Sequence, residues 1–236
     1  MNATLVLYTL RQRLLQPARV LVLIALFGFP LLFTLMARSA GIELLNAGAG
    51  FAMVLGAGLL GSDVSAGVLQ LLFVRPVTRT EYVFSRWGAV ALGAVTLTVM
   101  QVAAGALILQ ATGYPAPLGV VARHALEQSV VAVTVVSGMT MLSSQLPGIG
   151  DLDALLCGQV GSMVLMAVGG FTRQALLERT GRELNGVFSP QFSWAIAFGG
   201  ASPSWFHLAS ILSTIALSLA VAVVVMNRRE LSYANA

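Results

Sequence analysis

Two aspartates, Asp63 and Asp151, have the settings in this sequence that most suggest chemistry. Asp151 closes the string Gly148-Ile-Gly-Asp, and a carboxylate at such a turn can work with a second one on a facing helix, the two sharing a proton and activating a water. Asp63 is the one other acid expected at similar depth. The plainer reading is a glycine–proline loop ended by an acid. Other chemistry is thinner. The only histidines, His124 and His207, lie far apart near the ends of apolar segments and suit interfacial anchoring better than a metal site. The single cysteine, Cys157, sits in an apolar run, can form neither an internal disulfide nor a paired-cysteine metal site, and reads as a small packing residue. All 13 basic residues are arginine. Without lysine the chain has no GxxxxGK[ST] phosphate loop and no Schiff-base amine, so it cannot hydrolyse nucleotide at a Walker-type site of its own.

Hydropathy sets the elements that must carry these residues. Of 236 residues 57% are apolar and 9% charged, mean hydropathy is +0.87, and long apolar runs recur along the whole sequence. This predicts an all-α, polytopic membrane protein with six transmembrane helices and no room for a separate soluble enzymatic domain. The net charge of +4 and pI near 10.0 reflect arginines flanking spans rather than a nucleic-acid surface. Thr9, Gln12, Arg13 and Gln16 share one arc of an N-terminal helix and Ala3, Val6, Leu7, Leu10 and Leu14 the other, so residues 1–17 form an interfacial helix. Pro17 breaks it, and the first span runs from Arg19 to Met36. A cleaved signal peptide is the competing reading, disfavoured because this run exceeds an h-region of roughly 7 to 15 residues.

The second span, from about Leu44 to Gly61, carries Gly48, Gly50, Gly56, Gly58 and Gly61, which let helices approach closely. The apolar part of the third runs from Trp87 to about Ala111. The fourth is Arg123 to Gln145, opened by an Arg123/Glu127 pair, the fifth Leu152 to Phe171, and the sixth Trp205 to Met226. Between the last two, residues 172–204 form an outer loop: Arg173 to Leu184 is polar and helical, while Val187 to Ala201 is apolar, broken by Pro190, and expected to re-enter the bilayer.

Residues 63–86 are expected on the cytoplasmic side, because they hold Arg75, Arg79 and Arg86. Pro76 ends a short amphipathic helix over Gly67–Val74. Thr78-Arg-Thr-Glu81 then makes a capping box with Val77 and Tyr82 as a hydrophobic staple, and the third helix starts about two turns before its apolar part. Arg11, Arg13, Arg19, Arg228 and Arg229 join this side, against Arg38, Arg123, Arg173, Arg179 and Arg182 on the other, which places both termini inside. Deep polar residues such as Gln101, Ser137, Thr140 and Gln159 are neutral, so no group couples the chain to an ion gradient and any driving energy must come from elsewhere. On the last span Ser210, Ser213, Thr214 and Ser218 form one hydroxyl stripe, able to line a substrate path or simply to bond their own helix carbonyls.

An interfacial helix, six spans, and Asp63, Gly67, Leu71, Leu72, Pro76, Val77, Arg79 and Tyr82 between the second and third resemble the membrane subunits of six-span ABC exporters, the type-2 ABC permease family. The ending Asn227-Arg-Arg-Glu-Leu-Ser-Tyr233 is similar too. The likeness covers nearly the whole chain in layout and is specific over 63–82. It implies a permease of the bacterial inner membrane that pairs with a second copy or close paralogue and moves substrate by alternating access. The work would come from two copies of a separate subunit that binds ATP and Mg, with no cofactor in this chain. On that reading Asp63, Gly67, Leu71, Leu72, Phe73, Arg75, Pro76 and Arg79 couple to the ATPase. Leu71, Leu72 and Phe73 would be covered by it, or else lie among lipid headgroups with the arginines snorkelling. The large outer domain of some family members is lacking, which leaves the substrate open. The alternative is an intramembrane aspartyl protease using Asp63 and Asp151.

Overall fold

The computed structural model describes residues 3–67, 78–198 and 205–228. Every regular element within them is helical: α1 (Ala3–Leu14), α2 (Pro17–Met36), a 3-10 segment (Arg38–Leu44), α3 (Gly48–Gly56), α4 (Gly61–Ser65), α5 (Arg79–Ala111), α6 (Leu118–Gln145), α7 (Gly150–Thr172), α8 (Ala175–Phe188), α9 (Trp194–Phe198) and α10 (Trp205–Arg228). Among the described residues six stretches are long and apolar enough to cross a bilayer: Pro17–Met36, Gly41–Ser65, Arg79–Ala111, Leu118–Gln145, Gly150–Thr172 and Trp205–Arg228. The chain is an all-α, multi-pass membrane protein. Six crossings leave α1 and the end of α10 on one side, hereafter the terminal side.

Prolines shape the first span. Pro17 stands in the first turn of α2, where a missing N–H costs nothing, so it ends the interfacial helix by beginning the next. Pro30 lies inside α2 and cannot donate to the Leu26 carbonyl. Gln101 of α5, fully buried, takes over: its Nε2 donates to the carbonyls of Leu26 at 2.8 Å and Phe27 at 3.1 Å.

The capping box forms as expected, with Thr78 Oγ1 accepting the Glu81 N–H at 3.2 Å and the Glu81 carboxylate accepting the Thr78 N–H at 3.3 Å. The 33 residues of α5 rise about 50 Å, beyond the ~30 Å of a hydrocarbon core, so its first turns stand clear on the terminal side. Between α5 and α6 lies α3, with Phe51 and Leu55 buried on it and Leu59 and Leu60 just beyond. Glycine permits that approach. A Cβ on Gly48 would sit 2.4 Å from the Gln128 carbonyl oxygen, and one on Gly56 2.9 Å from the Met139 sulfur.

The second span is not the continuous helix expected from Leu44 to Gly61. After the 3-10 segment, α3 stops at Gly56, the backbone unwinds over 57–60 with Gly58 at φ +65°, and α4 resumes at Gly61. The fourth span also differs, starting at Leu118 after Pro117. Its Glu127 does not pair with Arg123 but accepts the Trp194 N–H at 2.6 Å, with the His124 ring 3.9 Å away.

Arg173, in the left-handed region at φ 55°, turns the chain after the fifth span. The piece that runs back along this span is α8, ahead of the apolar stretch expected to do so. A Cβ on Gly169 would meet the Glu178 backbone at 2.4 Å, one on Gly181 the Met166 nitrogen at 2.7 Å, and one on Gly158 the Phe188 ring at 2.5 Å. Cys157 lies on the exposed face of α7 rather than in a packing contact.

Candidate functional site

Breaking a helix inside a membrane protein strands carbonyls at the end of one piece and N–H groups at the start of the next, and hydrocarbon offers them nothing. At 57–61 several of these groups are met by side chains of suitable sign. Arg13 of α1, only 3% exposed, donates Nη1 to the Ala57 carbonyl and Nη2 to the Gly58 carbonyl at 2.8 Å. Arg19 of α2 adds a 2.9 Å bond to the Ala57 carbonyl. On the donor side, both oxygens of Asp151 accept the Gly58 N–H at 2.9 Å, and Ser143 Oγ accepts the N–H groups of Leu60 at 2.8 Å and Gly61 at 2.9 Å. The Gly148 N–H donates to the Gly61 carbonyl at 3.0 Å, lacing the break to the loop before α7.

The signs follow helix electrostatics. Two guanidinium groups cap the negative end of α3, and Asp151, fully buried in the first turn of α7, also accepts the Leu152 N–H of its own helix. Burial lowers the pKa of Arg13 to about 10, with repulsion from Arg19 and Arg86 next and attraction to Asp63 and Asp151 opposing it. It stays cationic at neutral pH.

A second set of contacts adjoins the first. Asp63 of α4 and Arg86 of α5 form a buried ion pair, and the Tyr82 hydroxyl donates to the same carboxylate oxygen. Arg86 lies 5.4 Å from the centre of the Tyr82 ring and passes a further bond, 3.2 Å, to Gln12 Oε1 of α1. At the foot of α5, Arg79 donates to the carbonyls of Met226 at 2.9 Å and Asn227 at 3.0 Å, so it caps the end of α10.

Of the residues singled out for coupling, Asp63, Gly67 and Arg79 are thus placed on the terminal side, Gly67 exposed with φ +66°. Leu71, Leu72, Phe73, Arg75 and Pro76 lie outside the described residues, as does Val77. No family model and no curated protein matches the chain. Sequence reasoning missed Gln12, Arg13, Arg19, Arg86 and Ser143 as site residues. The signal available for the first two was their place on the polar arc of the N-terminal helix.

The carboxylates of Asp63 and Asp151 are each committed, one to Arg86 and Tyr82, the other to two backbone N–H groups. Both are engaged as structural acceptors. Along α10, Ser210, Ser213 and Thr214 are exposed while Ser218 is buried; the hydroxyls of Ser213 and Thr214 bond the Ser210 carbonyl at 2.9 and 2.8 Å, the local pattern that competes with a substrate path. At the far side, His124 lies 3.2 Å from the Leu45 carbonyl and His207 stacks on Phe192 at 5.6 Å. What the junction can do is mechanical: it ties both margins of the 68–77 segment, α4 and α5, to α1, and the break just before α4 to α1, α2, α6 and α7.

Proposed function

We propose that this chain is the membrane-spanning permease subunit of an ATP-driven exporter of the type-2 ABC kind. It works as a pair of copies, or with a close paralogue, and is driven by two copies of a separate ATP-binding subunit. On this reading it sits in the bacterial inner membrane with both termini in the cytoplasm, consistent with the arginine distribution. One observation carries the proposal. The segment between the second and third spans is flanked by a buried ionic junction whose members come from α1, α4 and α5, next to a break in the second span. A push on 68–77 therefore moves Asp63 and, through Arg86 and Tyr82, the base of α5. Through Gln12 it reaches α1. The unwound 57–60 segment lets α4 shift while α3 stays packed between α5 and α6.

Such a permease needs a motor, since a lysine-free chain offers no Walker site. The decisive experiment is reconstitution with the Walker-type ATPase that a neighbouring reading frame should encode. The pair should hydrolyse ATP in proteoliposomes, the chain alone should not, and Leu72→Asp should release the ATPase while the permease still inserts, because losing a central apolar anchor costs about 2 kcal/mol or more. Hydrolysis by the chain alone, or undiminished binding to the Leu72→Asp chain, would overturn the reading. Arg79→Glu is a poorer probe, because Arg79 also caps α10.

A further inference from the structure

The corner between α1 and α2 opens into an apolar groove of about 340 Å³, walled by Leu14, Val20, Ile24 and Phe27, with Leu97 of α5 opposite and Gly28 at its inner end. From Val20 to Gly28 it follows α2 for about 12 Å at 1.5 Å per residue, close to the ~15 Å that one leaflet contributes to a 30 Å hydrocarbon core. The space over Gly28 is real: a Cβ there would meet nothing within 4 Å.

The two helices that frame the mouth bring only basic charge of their own. Residues 3–42 contain no acid. Of the three arginines near the corner, Arg13 and Arg19 turn inward to the carbonyls at 57–58. Arg11, one turn from Leu14 on an adjoining face of α1, is exposed and makes no ion pair among the described residues. An exposed guanidinium one helical turn from Leu14 at the lip of an apolar slot of leaflet depth is complementary to a phospholipid with a net negative headgroup. We infer that this groove seats one acyl chain of an anionic phospholipid from the leaflet on the terminal side, with Arg11 receiving its phosphate. Arg11 then supplies the headgroup preference and Gly28 the room for the tail.

The test is native mass spectrometry of the full chain released from vesicles holding equal amounts of palmitoyl-oleoyl phosphatidylglycerol and phosphatidylcholine. The wild type should retain phosphatidylglycerol over phosphatidylcholine. Arg11→Gln should cut that preference about five-fold, as expected for one arginine at an anionic surface. Gly28→Leu, whose Cβ would meet no protein atom within 4 Å, should fill the slot and lose most bound lipid of either class. Leu14→Trp, on the exposed corner, should obstruct the mouth from outside and act likewise, which covers the case of poor folding by the first variant. Equal retention of both lipids by the wild type overturns the inference. So does undiminished retention by Gly28→Leu and Leu14→Trp, or a change in oligomer mass in those variants with lipid retention intact, which would make the groove a seat for another helix.

Discussion

The break at 57–60 draws its partners from α1, α2, α6 and α7, whereas the return at Arg173 is closed by the two helices it joins. In the first, bonds link residues as far apart as Gly58 and Asp151, and most involve buried charge. In the second, α8 lies on α7 through Gly158, Gly169 and Gly181, helped by Gln159 donating to the Phe188 carbonyl at 3.1 Å. Its own charges, Arg179 with Glu183 and Arg182 with Glu178, pair within the helix and are largely exposed. The contrast teaches that the junction is a cooperative object, lost in part if any of several elements withdraws. The hairpin is a local unit whose failure stays local.

The largest effect should come from Arg86→Met. It leaves Asp63 buried without its counter-ion and is expected to cost about 3–5 kcal/mol, read as a lower thermal unfolding midpoint in detergent. Adding Asp63→Asn to that variant should recover much of the loss, because the stranded charge goes too. Asp151→Ala comes next, at about 2–3 kcal/mol for charged acceptor bonds lost from buried backbone donors, with Asp151→Asn retaining part of it. Gly58→Ala should cost about 1–2 kcal/mol, since φ +65° is unfavourable for a residue with a side chain and the new Cβ would stand 2.9 Å from the Gly148 carbonyl oxygen. Smallest is Arg179→Ala with Glu183→Ala, expected to leave the midpoint unmoved, because an exposed pair in one helix contributes little. To sharpen the comparison, Gly181→Leu should prise α8 from α7 and speed proteolysis within α8 while the midpoint of the remaining bundle holds. If Gly181→Leu lowered that midpoint as far as Asp151→Ala, the hairpin would not be the independent unit described.

Where the sequence could be read, the reason was locality or repetition. Thr78 and Glu81 are three residues apart and cap one helix turn, so their box was visible without any other element. The six spans were visible because each repeats one composition. The break in the second span was not, since its glycines suit close packing as well as unwinding and what stabilises it lies tens of residues away on four elements. The string that ends at Asp151 suits a loop closed by an acid as well as a catalytic carboxylate, and it says nothing of the Gly58 N–H that Asp151 holds. Glu127 looked like a helix-surface partner of Arg123, until the folded chain brought the Trp194 N–H to it. Arg13 read as an ordinary surface arginine because burial is set by α3, not by α1.

The bond from Gln101 to the Leu26 carbonyl also orders events in time. During synthesis α2 enters the membrane long before Gln101, 75 residues further along, has left the ribosome. Through that interval the carbonyl left without its helical partner by Pro30 must borrow another donor, from water or the insertion machinery. The first span is therefore finished only when the third arrives. Replacing Pro30 by alanine would let α2 complete itself early and leave Gln101 with only its weaker bond to the Phe27 carbonyl, moving part of the cost of insertion from one span to the other.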